Sequence, residues 1–203
     1  MVQYDERPAS VERRQHFLDV AKRVFASSGF QSTTMDDIAR EAGFTKPILY
    51  QHFPSKGTLY HEIVAATGAT LINGMMQAVS AKVLPREKIL AAFHVYFDMV
   101  VNDSDAFRIL FMHAHDGETA AELREVELNF VSFIVPYIDS SMDNEQRSLL
   151  AAGIVGMAEG SAIYWLIQQE HRGWPRPEAG VSEKMAAHCA TLAWGGLRAL
   201  LRD

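Results

Sequence analysis

Residues 33–53 constrain this chain more than any other stretch, because they read as two short helices separated by a tight turn. Thr33 can cap the first helix, and the two aspartates that follow occupy the first turn, where the helix dipole favours carboxylates. Gly43 stands where a helix commonly ends in a left-handed residue. Thr45 is the N-cap candidate of the second helix, and Pro54 ends that helix. The pattern predicts a helix-turn-helix unit.

A helix-turn-helix unit places its second helix in the DNA major groove, with the N-terminal residues of that helix at the base edges. Lys46 can donate to guanine, and Gln51 can pair with adenine. Pro47 and Ile48 offer no side-chain hydrogen bond, so they can read only groove shape and the thymine methyl group, which predicts a T opposite them. Ile48 packing inward remains the alternative. The predicted base-reading residues are Thr45, Lys46, Pro47, Ile48 and Gln51.

The segments TTMDDIAREAG and LYQHFPSK closely resemble the DNA-binding half of TetR-type (tetracycline-repressor-like) transcriptional regulators. The resemblance implies phosphate contacts from one further set of side chains: Thr33, Thr34, Tyr50, His52 and Lys56. It also implies a homodimer on a pseudo-palindromic double-stranded DNA operator. In such a regulator a small effector, held in the second domain, changes the spacing of the two heads. Gly57 departs from the family pattern, which usually has an acidic residue after the lysine.

Helical periodicity continues to the end of the chain, and no strand alternation competes with it. The predicted helices are residues 10–28, the two motif helices, 56–84, and about 86–101, 104–114, 119–139, 144–171 and 181–202. The fold class is therefore all-α, with a three-helix N-terminal head joined by a long helix to a helical body. We assign residues 1–57 to DNA binding and residues 58–203 to effector binding and dimerisation.

The charge of −6 is divided unevenly along the chain. Residues 1–57 carry eight Lys or Arg against seven Asp or Glu, whereas the remainder carries eleven against eighteen. A near-neutral head on an acidic body orients the molecule on a polyanion, although steering is weak. A single cysteine, a polar N-terminus and the expectation that no apolar run is long enough to cross a bilayer predict a cytoplasmic protein.

The body is rich in aromatic residues at helical spacing, which ordinarily form core. The resemblance implies that part of this set encloses an effector pocket, and an apolar or aromatic effector is predicted. Glu159 stands in an otherwise uncharged stretch; it either lines the pocket or points to solvent or the dimer seam. The predicted ligand-binding residues are Phe93, Phe97, Phe107, Phe111, Phe130, Phe133 and Glu159.

Small residues recur at three- and four-residue steps on the last two helices, where they allow helices to approach closely. The resemblance implies that these helices form the dimer interface; a small-residue stripe inside the protomer core is the alternative. The predicted interface residues are Gly153, Gly156, Gly160, Ala186, Ala190, Ala193 and Leu197.

An enzyme is not expected, because the sequence lacks a nucleophile elbow, a glycine-rich phosphate loop and a zinc-protease motif. His113 and His115 resemble a metal pair, but residues two apart on a helix diverge, so no metal or other cofactor is predicted. The sequence predicts a ligand-responsive transcriptional regulator, most simply a repressor. A helical protein-interaction module without sequence-specific DNA binding is the alternative.

Overall fold

The computed structural model describes residues 7–112, 119–139, 141–173 and 177–200, and every regular element within these ranges is helical. The predicted all-α class is confirmed. The elements are α1 (Arg7–Ser32), α2 (Met35–Glu41), α3 (Lys46–His52), α4 (Lys56–Ser80), α5 (Pro85–Asn102), α6 (Ser104–Phe107), a π-helical turn (Arg108–Met112), α7 (Ala120–Ile134), a 3-10 turn (Val135–Tyr137), α8 (Asn144–His171) and α9 (Val181–Ala199).

Hydrogen bonds at both ends of α2 fix the turn of the helix-turn-helix unit. Its N-cap is Thr34, one residue later than predicted: Thr34 and Asp37 exchange side-chain and backbone hydrogen bonds in a capping box. At the other end Gly43 adopts φ +75°, and the N–H of Phe44 donates to Ala39 over 2.9 Å. These bonds form the Schellman motif that ends the helix and sets the direction of α3.

The head has its own buried aromatic and aliphatic centre. α1 contributes Phe17 and Phe25, α2 contributes Ile38, and Leu49 and Phe53 come from α3 and its C-cap; all five are fully buried. Each motif helix has only seven residues, so packing on α1, rather than helix propensity, holds it in place.

Helix α4 connects this head to the body. Ser55 caps it by accepting from the N–H of Thr58 over 3.0 Å, and the helix ends at Ser80 rather than near residue 84 as predicted. Its two internal glycines permit close packing: a Cβ atom at Gly68 would lie 3.3 Å from Val126 of α7, and one at Gly74 would lie 3.2 Å from Val95 of α5.

Two predicted body helices are divided in the structure. The predicted helix at 104–114 is a single turn, α6, followed by the π-helical turn, and its continuation into His113 lies outside the described residues, as does His115. The predicted helix at 119–139 ends at Ile134, and a 3-10 turn containing Pro136 follows. Proline removes the backbone donor and clashes with the preceding turn, which explains the early end.

The prediction that no run is long enough to cross a bilayer is wrong by length and composition, since α4 and α8 both meet that criterion. Core helices of soluble proteins meet the same criterion. Helix α4 packs against α1, α5 and α7. Helix α8 differs because much of its apolar surface faces outward.

Candidate DNA-binding face and internal cavity

The outer face of α3 presents polar side chains on a rigid support. Leu49 is fully buried and fixes the helix on the head core. The predicted base-reading residues Thr45, Lys46, Pro47 and Gln51 are exposed, as is Tyr50. Thr45 occupies the N-cap position without a side-chain cap bond, so its hydroxyl is not used by the helix.

Lys46 and Ile48 each have a protein contact in this conformation. The ammonium of Lys46 lies 3.1 Å from a carboxylate oxygen of Asp36 on α2, and both side chains are largely exposed. An exposed pair of this kind contributes little to stability, roughly under 1 kcal/mol, so a guanine edge can replace Asp36. Ile48 is half-buried and packs against the head core, as the inward-packing alternative predicts in part. The rest of its side chain is still accessible.

Two of the predicted phosphate contacts have structural roles instead. Thr33 is 1% exposed, and its hydroxyl donates to the carbonyl of Gly29 over 2.7 Å, so the side chain does not reach the surface. The ammonium of Lys56 donates to the carbonyls of Phe30 and Thr33 over 2.7 and 2.9 Å. Lys56 therefore ties the start of α4 to the segment before α2. Thr34 remains exposed at the start of α2.

His52 lies beneath the recognition face. Its ring packs against Phe17 at 5.5 Å, and burial, reinforced by Arg13 and Arg14, lowers the pKa of His52 below its ordinary value. A neutral imidazole can donate one hydrogen bond to a phosphate but brings no charge. Arg13 and Arg14 are not among the predicted DNA contacts. They lie on α1, within electrostatic range of the end of α3.

A cavity of about 80 Å³ lies within the body. Its wall is almost wholly apolar and is drawn from α4, α5, the π-helical turn, α7, the 3-10 turn, α8 and α9. Lys88 on α5 is the only charged side chain that lines it, counting the described residues alone. An apolar lining with one charged group is typical of a small-molecule site.

Four of the seven predicted ligand-binding residues line this cavity: Phe93, Phe111, Phe130 and Phe133. Phe97 and Phe107 do not; both are fully buried between helices and belong to the core. Glu159 does not line the cavity either, and it is half-buried on α8. Sequence reasoning missed Lys88, named Tyr96 and Tyr137 only as aromatics, and placed Leu197 at the dimer interface, although all four lie in the wall.

The predicted dimer residues divide between two environments. Gly153, Gly156 and Gly160 are exposed on α8, and a Cβ atom at any of them would meet nothing within 4 Å. The prediction for Ala186, Ala190 and Ala193 does not agree with the structure: they are buried inside the protomer, where α9 packs chiefly against α5. The open surface of α8 and α9 carries other apolar side chains, namely Leu149, Tyr164, Ile167 and Leu192.

One hydrogen bond connects the cavity wall to the head. Tyr60 of α4 donates to the carbonyl of Ile109 over 3.3 Å, inside the π-helical turn that also places Phe111 in the cavity. The ring of Tyr60 packs on Phe25 and Phe30 at 5.1 and 5.0 Å. π-Helical turns are rare and often mark functional positions.

Known proteins resemble this chain in sequence and in fold. The family described as "Bacterial regulatory proteins, tetR family" matches residues 17–63. The HTH-type transcriptional activator FasR of Mycolicibacterium smegmatis is 32% identical over 92% of this chain and 83% of its own length. FadR of Bacillus subtilis, solved in complex with stearoyl-CoA, has 14% identity and a TM-score of 0.74, with coverage of 88% and 96%. AibR, solved with isovaleryl coenzyme A and operator DNA, has 22% identity and a TM-score of 0.67, with coverage of 89% and 97%.

The exposed helix-turn-helix face and the helical body together define a DNA-binding transcriptional regulator. The match to a relative at 32% identity over 92% of this chain identifies the family: this chain belongs to the TetR family of bacterial transcriptional regulators.

Proposed function

We propose that the protein is a ligand-responsive regulator that binds a pseudo-palindromic operator as a homodimer. The exposed polar face of α3 carries this proposal, because its polar side chains are presented to solvent while Leu49 fixes the helix. We assign base reading to Thr45, Lys46, Pro47, Ile48 and Gln51. Thr34, Tyr50 and His52 contact phosphates. The site of action is the cytoplasm, where the DNA is.

The outward surface of α8 and α9 supports the proposed homodimer. The three exposed glycines of α8 leave a smooth strip beside Leu149 and Tyr164, and Leu192 of α9 is likewise exposed. An exposed apolar surface of this kind favours association, and a two-fold dimer places two heads on two half-sites. The partner's α8 and α9 complete the bundle. The buried alanines of α9 serve each protomer's own core.

The effector that we propose is an acyl thioester, with its chain in the cavity. The apolar wall suits a hydrocarbon chain, and Lys88 suits an anion at one end. Two proteins of the same fold were solved with acyl-CoA molecules, which supports this class. The aromatic effector considered from sequence is the second possibility for the same cavity.

We propose that filling the cavity releases the operator, through the π-helical turn and α4. An effector that pushes Phe111 displaces the turn, and the Tyr60–Ile109 hydrogen bond transmits the shift to α4 and the head. A ligand changes the equilibrium only by its differential affinity for the two states. Release relieves repression where the operator overlaps a promoter. The FasR relative is named an activator, so in vitro transcription with and without effector determines the sign for this chain.

Selection of random duplex DNA by the full-length protein tests the proposal. We expect an inverted repeat, with a T in each half-site opposite Pro47 and Ile48. Lys46→Ala should change the recovered base, whereas Lys82→Ala, at an exposed lysine beyond the end of α4, should recover the wild-type sequence. Recovery of no sequence above background at low salt would contradict DNA recognition and favour a protein-interaction module.

A further inference from the structure

Tyr96 is an anomaly in the cavity wall. It is 6% exposed and lines the cavity, yet its hydroxyl has no hydrogen-bond partner among the described residues. A buried unpaired hydroxyl loses its hydrogen bonds to water without replacement, and folded proteins rarely retain one without a reason. Phenylalanine would provide the same ring at this position without that cost.

The ring of Tyr96 is held by its neighbours. It packs edge-to-face on Phe97, Phe107 and Phe111 at centroid distances of 5.2, 6.1 and 5.8 Å. Three such contacts limit the freedom of the side chain to turn toward another partner. These contacts thus hold the hydroxyl at a fixed point.

The environment also keeps this hydroxyl protonated. Burial first, and then the negative charges of Glu159 and Cys189, raise the pKa of Tyr96 well above its ordinary value. The phenol therefore remains a hydrogen-bond donor across the physiological pH range.

We propose that the Tyr96 hydroxyl donates a hydrogen bond to the acyl carbonyl oxygen of the effector. This inference rests on the proposed function, because it assigns a polar contact to the acyl thioester placed in the cavity. A carbonyl is a pure acceptor, and it is the oxygen that an acyl chain brings nearest to an otherwise apolar wall. Lys88 lies eight residues earlier on α5, about 12 Å along the helix axis, so the two polar groups contact different parts of the ligand.

Two probes that differ only in the carbonyl test the contact. Stearoyl-CoA contains the thioester carbonyl, and its thioether analogue S-octadecyl-CoA has a methylene group in that position. We expect the full-length protein to bind stearoyl-CoA about five- to tenfold more tightly than the thioether, as measured by calorimetry below micellar concentration. In Tyr96→Phe this preference should disappear. Tyr137→Phe, which removes the hydroxyl of a second tyrosine in the wall, should retain it.

The outcomes separate this inference from the function on which it rests. Equal binding of both probes by the wild-type protein would overturn the Tyr96 contact and leave the acyl-CoA effector standing. A preference that persists in Tyr96→Phe would likewise overturn it. Failure of both probes to bind the wild-type protein would overturn the effector class and this contact together.

The stability of the effector-free protein is a second measurement. If the hydroxyl is unpaired before the effector enters, Tyr96→Phe should unfold at the same denaturant midpoint as the wild-type protein or a higher one. A lower midpoint would mean that the hydroxyl is satisfied within the protein, which would contradict a role reserved for the ligand.

Discussion

The face of α3 and the body cavity are built in opposite ways. The α3 face consists of polar side chains around a short helix whose apolar side is fully packed against the head. The cavity consists of apolar side chains from seven elements that leave space between them. Exposed side chains on a well-packed helix can be substituted without loss of the fold. Side chains in the cavity wall, in contrast, belong to the hydrophobic core and to the binding site at once. Substitutions in the two regions should therefore have different consequences.

The largest expected effect is on stability, and it contrasts the filled core with the cavity wall. Phe17→Ala should lower the free energy of unfolding by about 3–5 kcal/mol, because Phe17 is fully buried in the head. Phe133→Ala should cost less, because that ring is half-buried and already borders empty space. Chemical denaturation measures both. Equal losses would contradict a difference in packing between the two regions.

A side chain that occupies the cavity should block effector binding. Ala158 lines the wall, so Ala158→Phe places a ring where the acyl chain is proposed to lie. We expect stearoyl-CoA affinity to fall about thirtyfold or more, equivalent to about 2 kcal/mol, and stearoyl-CoA to lose its effect on operator affinity. Ala69→Phe, at an exposed position on α4, is the matched control. Unchanged acyl-CoA binding in Ala158→Phe would place the effector elsewhere.

A substitution on the α3 face should weaken DNA binding and leave effector binding unchanged. Lys46→Ala should weaken operator binding by about tenfold, the loss expected for a base-reading side chain, while the unfolding midpoint and acyl-CoA affinity stay the same. Fluorescence anisotropy with labelled operator measures the first quantity. Operator affinity equal to that of the wild-type protein would remove Lys46 from the contact set.

Removing the hydrogen bond that joins the two regions should have a smaller effect than a substitution in either site. Tyr60→Phe removes the donor to Ile109 and keeps the ring that packs on Phe25 and Phe30. We expect the effector-induced change in operator affinity to shrink by about fivefold, the value of one hydrogen bond. Operator affinity without effector should change little. A full response in this variant would exclude the π-helical turn from the coupling.

The smallest expected effect is a pH dependence at the junction of α1 with α4. Arg14 and Glu62 form a two-point ion pair, and the hydrogen bond from Arg14 lowers the pKa of Glu62 below its ordinary value near 4.5. A lowered pKa means that the contribution to stability is present above pH 4.5 and is lost as the pH falls through the folded-state value. Both side chains are more than one-third exposed, so the contribution is under about 1 kcal/mol. Glu62→Gln should flatten this part of the stability profile; an identical profile would contradict the assignment.

The head was largely predictable because its determinants are close together in the sequence. Gly43 and Pro54 mark the ends of the motif helices, and both helices occur where the pattern indicates. Two errors have a local cause. Thr33 and Thr34 are equally suitable caps by type, and the capping-box partner Asp37 makes the choice. Lys56 is read as a phosphate contact only until its distance to Phe30 and Thr33 is known.

The cavity was less predictable because it depends on long-range packing. Phe97 and Phe111 were both predicted to bind the ligand, because helical spacing does not distinguish them. Phe97 belongs to the core, whereas Phe111 lines the cavity wall. The alanines of α9 have a spacing that suits either a dimer seam or a protomer core, and only the position of α5 decides between them. The unpaired hydroxyl of Tyr96 cannot be read from sequence at all, since it depends on the surroundings of one atom.

The most direct test of the account is reciprocity between the two regions. Stearoyl-CoA affinity of the full-length protein is measured without DNA and with saturating operator, and operator affinity is measured without and with saturating stearoyl-CoA. If one equilibrium joins the cavity to the heads, both affinities must change by the same factor, which we expect to be about 5- to 150-fold. Acyl-CoA and operator that bind independently of each other would contradict a ligand-responsive regulator.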